Sequence, residues 1–200
     1  PSACNYDPAA TLDDGSCDFS CLGCTDPLAV NFDSTATVDD SSCVSLVIGD
    51  TYQGGIVFYL DGNGGGLTAA PSNQSSGAVW GCKGTNLPGA EGMAIGTGNQ
   101  NTIDIEAGCT TSGIAADLCA NLILSGYSDW FLPSRDELEL MYINLHSQGL
   151  GSFSNDYYWS SSEWGPNDSW YVYFADGTVS YLHPPIYKAS AISVRAIRAF

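Results

Sequence analysis

Basic side chains are scarce in this chain. Five Lys and Arg stand against 22 Asp and Glu in 200 residues, for a net charge of −17. Nucleic-acid binding needs a basic surface to neutralise phosphates, so that class is excluded. Docking on an anionic membrane surface is disfavoured for the same reason. No apolar run approaches the roughly 18 residues that would span a bilayer, and membrane insertion is not expected. No basic and apolar leader opens the chain, since Pro1 runs straight to Cys4 and Asn5. Histidine is limited to His146 and His183. Neither lies in a metal-site or triad pattern, and His183, beside Pro184-Pro185, suits a binding loop. The excess carboxylate fits divalent cations, or a surface that stays soluble at high salt.

What is present begins with eight cysteines and an internal repeat. Asn5-Tyr6-Asp7-Pro8-Ala9-Ala10-Thr11-Leu12-Asp13-Asp14-Gly15-Ser16-Cys17 realigns on Asn31-Phe32-Asp33-Ser34-Thr35-Ala36-Thr37-Val38-Asp39-Asp40-Ser41-Ser42-Cys43, a constant offset of 26 (31 − 5 and 43 − 17). Such a period indicates a modular array. The second copy follows Gly23-Cys24-Thr25-Asp26-Pro27, of which the first keeps only Pro1. The chain is therefore expected to be part of something longer.

Residues 1–45 hold eight Asp and no Lys, Arg or His. A segment with so few apolar residues needs staples or metal to fold. Cys4 and Cys21 have no counterparts in the second copy; their joint absence pairs them with each other, and Cys24–Cys43 becomes the second bridge. Cys17 is left without an evident partner. Disulfides at this density imply an oxidising compartment. Zinc on sulfur is a poor alternative, because these cysteines fit a disulfide scheme. Calcium takes six to eight hard oxygens from flexible loops. The expected ligands are Asn5, Asp7, the carbonyl of Thr11, Asp13 and Asp14 in the first repeat, and Asn31, Asp33, Asp39 and Asp40 in the second.

The pattern GCTDP-x-A-x-N-(Y/F)-D-x-x-A-T-x-D-D-(G/S)-S-C resembles the Cys/Asp repeats of very large bacterial surface proteins. It is also loosely similar to thrombospondin type 3 calcium repeats. The expected organisation is one repeat over 1–22, a second over 23–45, and a larger domain over 46–200.

From Ile48 the composition turns to Gly, aromatics and alternating apolar residues. Ile56 to Leu60 reads as a strand, Asp61-Gly62-Asn63-Gly64-Gly65-Gly66 as a hairpin turn, and Leu67 to Ala70 as the return strand. The glycine run lacks Gly-Lys-Ser/Thr and a strand follows it, so a phosphate loop is excluded. Ile114, Leu118 and Leu122 are spaced for one buried helix face, stopped at Gly126. Ser134-Arg135-Asp136-Glu137 is a capping box after Pro133, and Leu138, Met141, Tyr142 and Leu145 form the stripe of a second helix. Strands are expected at Trp170–Phe174, Thr178–Leu182 and Val194–Arg198. The class is α+β. Cys82–Cys109 is the expected third bridge, because pairing Cys109 with Cys119 would need Cα atoms within about 7 Å across a helix rising about 1.5 Å per residue.

Gly126 to Leu138 (GYSDWFLPSRDEL), Tyr158-Trp159-Ser160-Ser161-Ser162-Glu163, Trp170-Tyr171-Val172 and Val194-Arg195-Ala196-Ile197-Arg198 run through most of residues 48–200. They resemble the C-terminal domain family of the Legionella collagen-like protein, a bacterial adhesin domain. The resemblance implies a C-type-lectin-like fold. Many members carry a last-strand cysteine that would bond the helix cysteine; Ala196 stands there, so Cys119 takes another partner or remains a buried thiol.

Glu163-Trp164-Gly165-Pro166-Asn167-Asp168 departs from the Glu-Pro-Asn and Trp-Asn-Asp triplets of calcium-dependent lectins, and a lectin-type calcium site is not expected here. Alternation sends Trp159, Trp170, Val172 and Phe174 to the core, and Trp130 also reads as structural. Tyr171, Tyr173, Tyr181 and Tyr187, with Trp164, fall on the other face or in loops, as recognition aromatics do. The expected ligand-binding set is Glu163, Trp164, Asn167, Asp168, Tyr171, Tyr173, Tyr181, His183 and Tyr187. Formylglycine-generating enzymes share a related fold but need a late cysteine pair, and the last cysteine is Cys119, so no enzyme is expected. The sequence points to a secreted or surface-attached adhesin-type module that binds a glycan or protein and is held out on repeats, or otherwise to a ligand-free cap assembled into a fibre.

Overall fold

The computed structural model describes residues 3–12, 15–179 and 186–200. The chain divides into two compact units, Pro1–Val47 with Leu60–Gly65, and Ile48–Tyr59 with Gly66–Phe200. Tyr181, His183, Asp13 and Asp14 lie outside the described residues.

The first unit is held by bonds rather than by a core. Cys4–Cys21 and Cys24–Cys43 are bridged, with Cα atoms 5.7 and 4.7 Å apart. The two copies repeat one clasp. Asn31 Nδ2 donates to the Ser42 carbonyl and its Oδ1 accepts from the Val44 amide. Asn5 does the same with Ser16 and Asp18. A short parallel pair, β1 (Leu22–Gly23) on β2 (Val38–Asp39), completes it.

The second unit mixes helices with two sheets. β3 (Thr51–Tyr52), β4 (Gly55–Leu60), β5 (Gly66–Ala69) and a strand from the chain end form the smaller sheet. β6 (Ser75–Ala78) precedes α1 (Gly98–Gly108), α2 (Ala115–Ala120) and α3 (Arg135–Asn144). Then follow β7 (Tyr157–Glu163), β8 (Asp168–Tyr173), β9 (Thr178–Val179), β10 (Ile186–Tyr187), β11 (Ile192–Val194) and β12 (Ile197–Ala199). The larger sheet runs β10-β8-β7-β11-β6, with β9 also on β8; the smaller runs β12-β5-β4-β3.

The capping box forms as its residues require. Ser134 Oγ accepts from the Glu137 amide and Glu137 Oε2 from the Ser134 amide, at 3.4 and 2.7 Å. Leu138, Met141 and Leu145 then bury one face of α3. The other expected helix is shorter than its spacing suggested. α2 ends at Ala120, it buries Ala115, Ala116 and Cys119, and Leu118 and Leu122 are only half-buried. Gly126 does not cap it. Ser125 and Gly126 carry φ of 53° and 85°, a two-residue turn closing the bridge between Leu124 and Tyr127.

Helix α1 was not anticipated. Its buried positions include Asn101 and Thr102 beside Ile105. Asn101 bonds Gly92 and Ser161, and Thr102 bonds Leu132. Its inner face is satisfied by hydrogen bonds rather than by an apolar stripe.

β7 and β8 are buried on both faces. Tyr158, Val172 and Phe174 pack with Leu138 and Met141 of α3; Trp159 and Tyr171 pack with Ile105, Ala116 and Cys119 near α1 and α2. Alternation here separates two cores, not core from solvent.

Candidate functional site

The hairpin joining β7 to β8 turns at 164–167, where the amides of Trp164 and Gly165 both donate to the Asp168 carbonyl at 3.2 Å. β10 lies alongside, with Tyr187 opposite Asp168. The segment 82–90 closes the third side: the Gly84 amide donates to the Pro166 carbonyl, and Glu163 donates its amide to Ala90. Asn167 accepts from the Lys188 amide at 2.8 Å. Three separate stretches are thus stitched through their backbones.

Beneath them sits an ion pair. Lys188 Nζ meets the Glu163 carboxylate, with side chains 0% and 2% exposed. The same ammonium donates to the Thr85 carbonyl at 2.9 Å and lies 4.4 Å from the centre of the Trp80 ring. Both Glu163 oxygens accept from the Leu87 amide at 3.0 Å. With amide and ammonium partners, the buried charges are satisfied. Cys82–Cys109 ties the start of this segment to the end of α1, with Cα atoms 5.7 Å apart. Gly81, at φ +108°, lets the backbone pass where a Cβ would come within 2.7 Å of Ile114.

Several of the residues expected to meet ligand are buried instead of exposed. Glu163 is an internal lock, with no face to solvent. Tyr171 is 4% exposed, because its side of the sheet is covered by the core that holds Trp159. Tyr173 is half-buried and stacks on Tyr157 at 4.3 Å. The exposed members are Trp164 at 58% and Tyr187 at 60%, with Asn167 exposed and Asp168 half-buried between them. Trp164 meets Trp170 edge-on at 4.6 Å. Arg135 lies 5.1 Å from the Trp170 ring on its way to Asp136. Lys83 reaches to 4.5 Å over the Tyr187 ring. Lys83 and Lys188 were missed from sequence; their signal was scarcity, being two of five basic residues.

Among the described residues, no three or more His, Cys, Asp or Glu converge to hold a metal ion. Asp33, Asp39 and Asp40 instead accept from the amides two residues on, Thr35, Ser41 and Ser42. Asp7 does so with Ala9. Hydrogen bonds from Thr35 and Ser42 hold Asp33 and Asp40 below the usual carboxylate range. Asn5 and Asn31 are taken up by their clasps, and Thr11 is exposed.

Away from the hairpin, α1 and α2 meet around Glu106. Desolvation, then a hydrogen bond with Asp117, pushes its carboxyl from the usual 4.5 up to about 7. Cys119 is a buried free thiol, raised by burial and then by the Glu106 charge.

The family model of the Lcl C-terminal domain matches residues 72–198. The chain belongs to this family. The matched stretch contains the hairpin, its ion pair and helices α1, α2 and α3. No curated protein matches the chain. Membership of the Lcl C-terminal domain family and the three disulfides are consistent with an extracellular or surface protein. No helix among the described residues is long and apolar enough to cross a membrane.

Proposed function

We propose that this Lcl C-terminal domain is a C-type-lectin-like, adhesin-type binding module of a bacterial surface. It recognises a glycan or a protein through the rim around Trp164 and Tyr187. The observation that carries this reading is the contrast between tip and base. Two large aromatics stand more than half exposed on a turn and a strand end, above a hydrogen-bonded ion pair closed to water. Rigid aromatic anchors on a fixed scaffold give contact area at low entropic cost. Asn167, Asp168 and Lys83 supply oriented polar groups beside them.

The preceding repeats serve as an acidic, disulfide-stapled spacer, and calcium on their carboxylates belongs to the same proposal. Its support is the carboxylate excess of the sequence. Glycan-array and cell-binding assays of the chain, with Trp164→Ala and Tyr187→Ala alongside, test the adhesin reading. A chain that binds nothing on either would sink it and leave a ligand-free cap of a fibre.

A further inference from the structure

The two repeats of the first unit differ along one edge. In the second copy the lead-in, Cys21 to Pro27, lies on the repeat and is bonded to it at several points. Thr37 and Val38 donate their amides to the Cys21 carbonyl at 2.9 and 3.1 Å, and Asp33 donates to the Cys24 carbonyl at 2.9 Å. Leu22–Gly23 pairs in parallel with Val38–Asp39, and Cys24 fastens the edge through its bridge to Cys43. A Cβ on Gly23 would come within 3.1 Å of the Ala36 Cβ and 3.2 Å of Asp33 Oδ2. Glycine there sets how closely the lead-in lies.

In the first copy the same edge faces solvent. The constant offset (33 − 7 and 43 − 17) places Asp7, Ala10, Thr11, Leu12 and Cys17 where the second copy has Asp33, Ala36, Thr37, Val38 and Cys43. Asp33, Ala36 and Cys43 are half-buried, whereas Asp7, Ala10 and Cys17 are exposed. Val38 is 42% exposed and Leu12 85%. The amides of Asp7, Thr11 and Leu12 have no acceptor among the described residues, and Cys17 is a free thiol. The frame that presents the edge is nevertheless the same in both. The Asn5 clasp grips Ser16 and Asp18 on either side of Cys17, as the Asn31 clasp grips Ser42 and Val44 on either side of Cys43.

No cysteine of this chain is placed to bond Cys17. Six are bridged to one another, and Cys119 is 0% exposed. The second copy shows what chemistry fits: an extended segment that accepts from the repeat's amides, has glycine at the point of closest approach, and carries a cysteine next to it. Strand addition of this kind draws affinity from main-chain hydrogen bonds and specificity from the side chains. The second repeat offers no equivalent of the Cys4–Cys21 tie to a following lead-in, since Val30 and Val47 stand at those positions. The array therefore extends from the first repeat.

We propose that the edge formed by Asp7, Ala10, Thr11, Leu12 and Cys17 is a docking site for the glycine- and cysteine-bearing lead-in of a further repeat, which adds in parallel and bonds Cys17. The bond forms by thiol–disulfide exchange. The Cys17 thiolate attacks the lead-in sulfur held as a mixed disulfide with a small thiol; that disulfide breaks and the small thiol leaves as its thiolate, with no net oxidation. The proposal concerns the first unit and does not need the adhesin reading to hold.

The test mixes the whole chain with a peptide of residues 20–28 carrying Cys21→Ser, its remaining cysteine held as the mixed disulfide with glutathione. Docking before exchange raises the effective concentration of the reacting sulfur, so Cys17 takes up this peptide roughly tenfold faster than a scrambled peptide of the same composition. Gly23→Val in the peptide brings the rate down to that of the scrambled one. Peptide mapping places the new bridge at Cys17, and hydrogen exchange then shows the amides of Thr11 and Leu12 slowed toward those of Thr37 and Val38. Equal rates for the ordered and scrambled peptides overturn the proposal and leave Cys17 an exposed thiol only. An undiminished rate with the valine peptide overturns it too, as does a bridged protein whose Thr11 and Leu12 amides exchange as fast as before.

Discussion

Lys188 and Glu163 form an ion pair from which both side chains are closed to water. They stand 25 positions apart in the chain, and between them the chain forms the turn and strand that carry Trp164 and Tyr187. The pair therefore fixes the base of the rim from both ends. Its ammonium also holds the Thr85 carbonyl, and its carboxylate the Leu87 amide, so a third segment depends on it.

Removing one partner leaves the other charged and buried, which typically costs about 3–5 kcal/mol. Lys188→Ala and Glu163→Ala are each expected to destabilise the second unit by that order in urea melts. The double variant should cost clearly less than the sum, because the second substitution removes the stranded charge. Strictly additive losses would mean that the two groups do not interact.

At the rim the expectation reverses: large effects on binding, small ones on stability. An aromatic anchor lost from a hot spot costs roughly 2 kcal/mol, about thirtyfold in affinity. Trp164→Ala and Tyr187→Ala should weaken adhesion by that order with the melting temperature nearly unchanged, since both side chains are more than half exposed. Variants that adhere like the parent would move the site elsewhere. Variants that unfold would assign both rings to packing.

Local grammar was legible in the sequence, and the tertiary layers were not. The capping box at Ser134 and Glu137 depends on a few contiguous residues, and it formed with both reciprocal bonds. The disulfides followed from comparing two repeats and from helix rise. Tyr171 was misread because alternation along one strand says only that two faces differ. It carries no information on whether a second core covers the other face, and here one does. Helix α1 was invisible because Asn101 and Thr102 are buried through hydrogen bonds, which leave no hydrophobic period. Glu163 looked like a recognition residue because its neutralising partner lies far along the chain. Trp130 read correctly as structural, but only the folded chain shows its N–H unanswered.

Glu106 makes stability depend on pH. Its carboxyl holds a proton up to about 7 in the folded chain against the usual 4.5. Between these values the unfolded chain has lost a proton that the native chain retains. Folding stability contributed by this group is thus full below the lower value and declines as pH rises through the window. Glu106→Gln removes the titration. Comparing the two proteins cancels the other carboxylates, including Asp33 and Asp40, whose depressed values act in the opposite sense. The melting temperature of the parent relative to the variant should fall as pH goes from 4.5 to 7. Parallel curves would show that Glu106 titrates normally.

The last expectation separates clasp from cation in the repeats. Asn31 spans the second copy, bonding the Ser42 carbonyl and the Val44 amide, and it does so independently of any metal. Asn31→Ala removes both bonds at once, each worth about 0.5–1.5 kcal/mol. It should lower the transition of the first unit in calcium and in EGTA alike. Calcium bound to the folded repeats would add stability that grows with free cation, as binding to the native state alone requires. Calorimetry of the parent with calcium and with EGTA reads that term directly. A transition higher in calcium supports a cation on Asp33, Asp39 and Asp40. An unchanged transition in the parent, together with a lowered one in the Asn31 variant, would leave the clasp and the disulfides as what orders the repeat. Aspartates that already accept from the amides of Thr35, Ser41 and Ser42 would then be turn-formers first, with their charge directed to solvent.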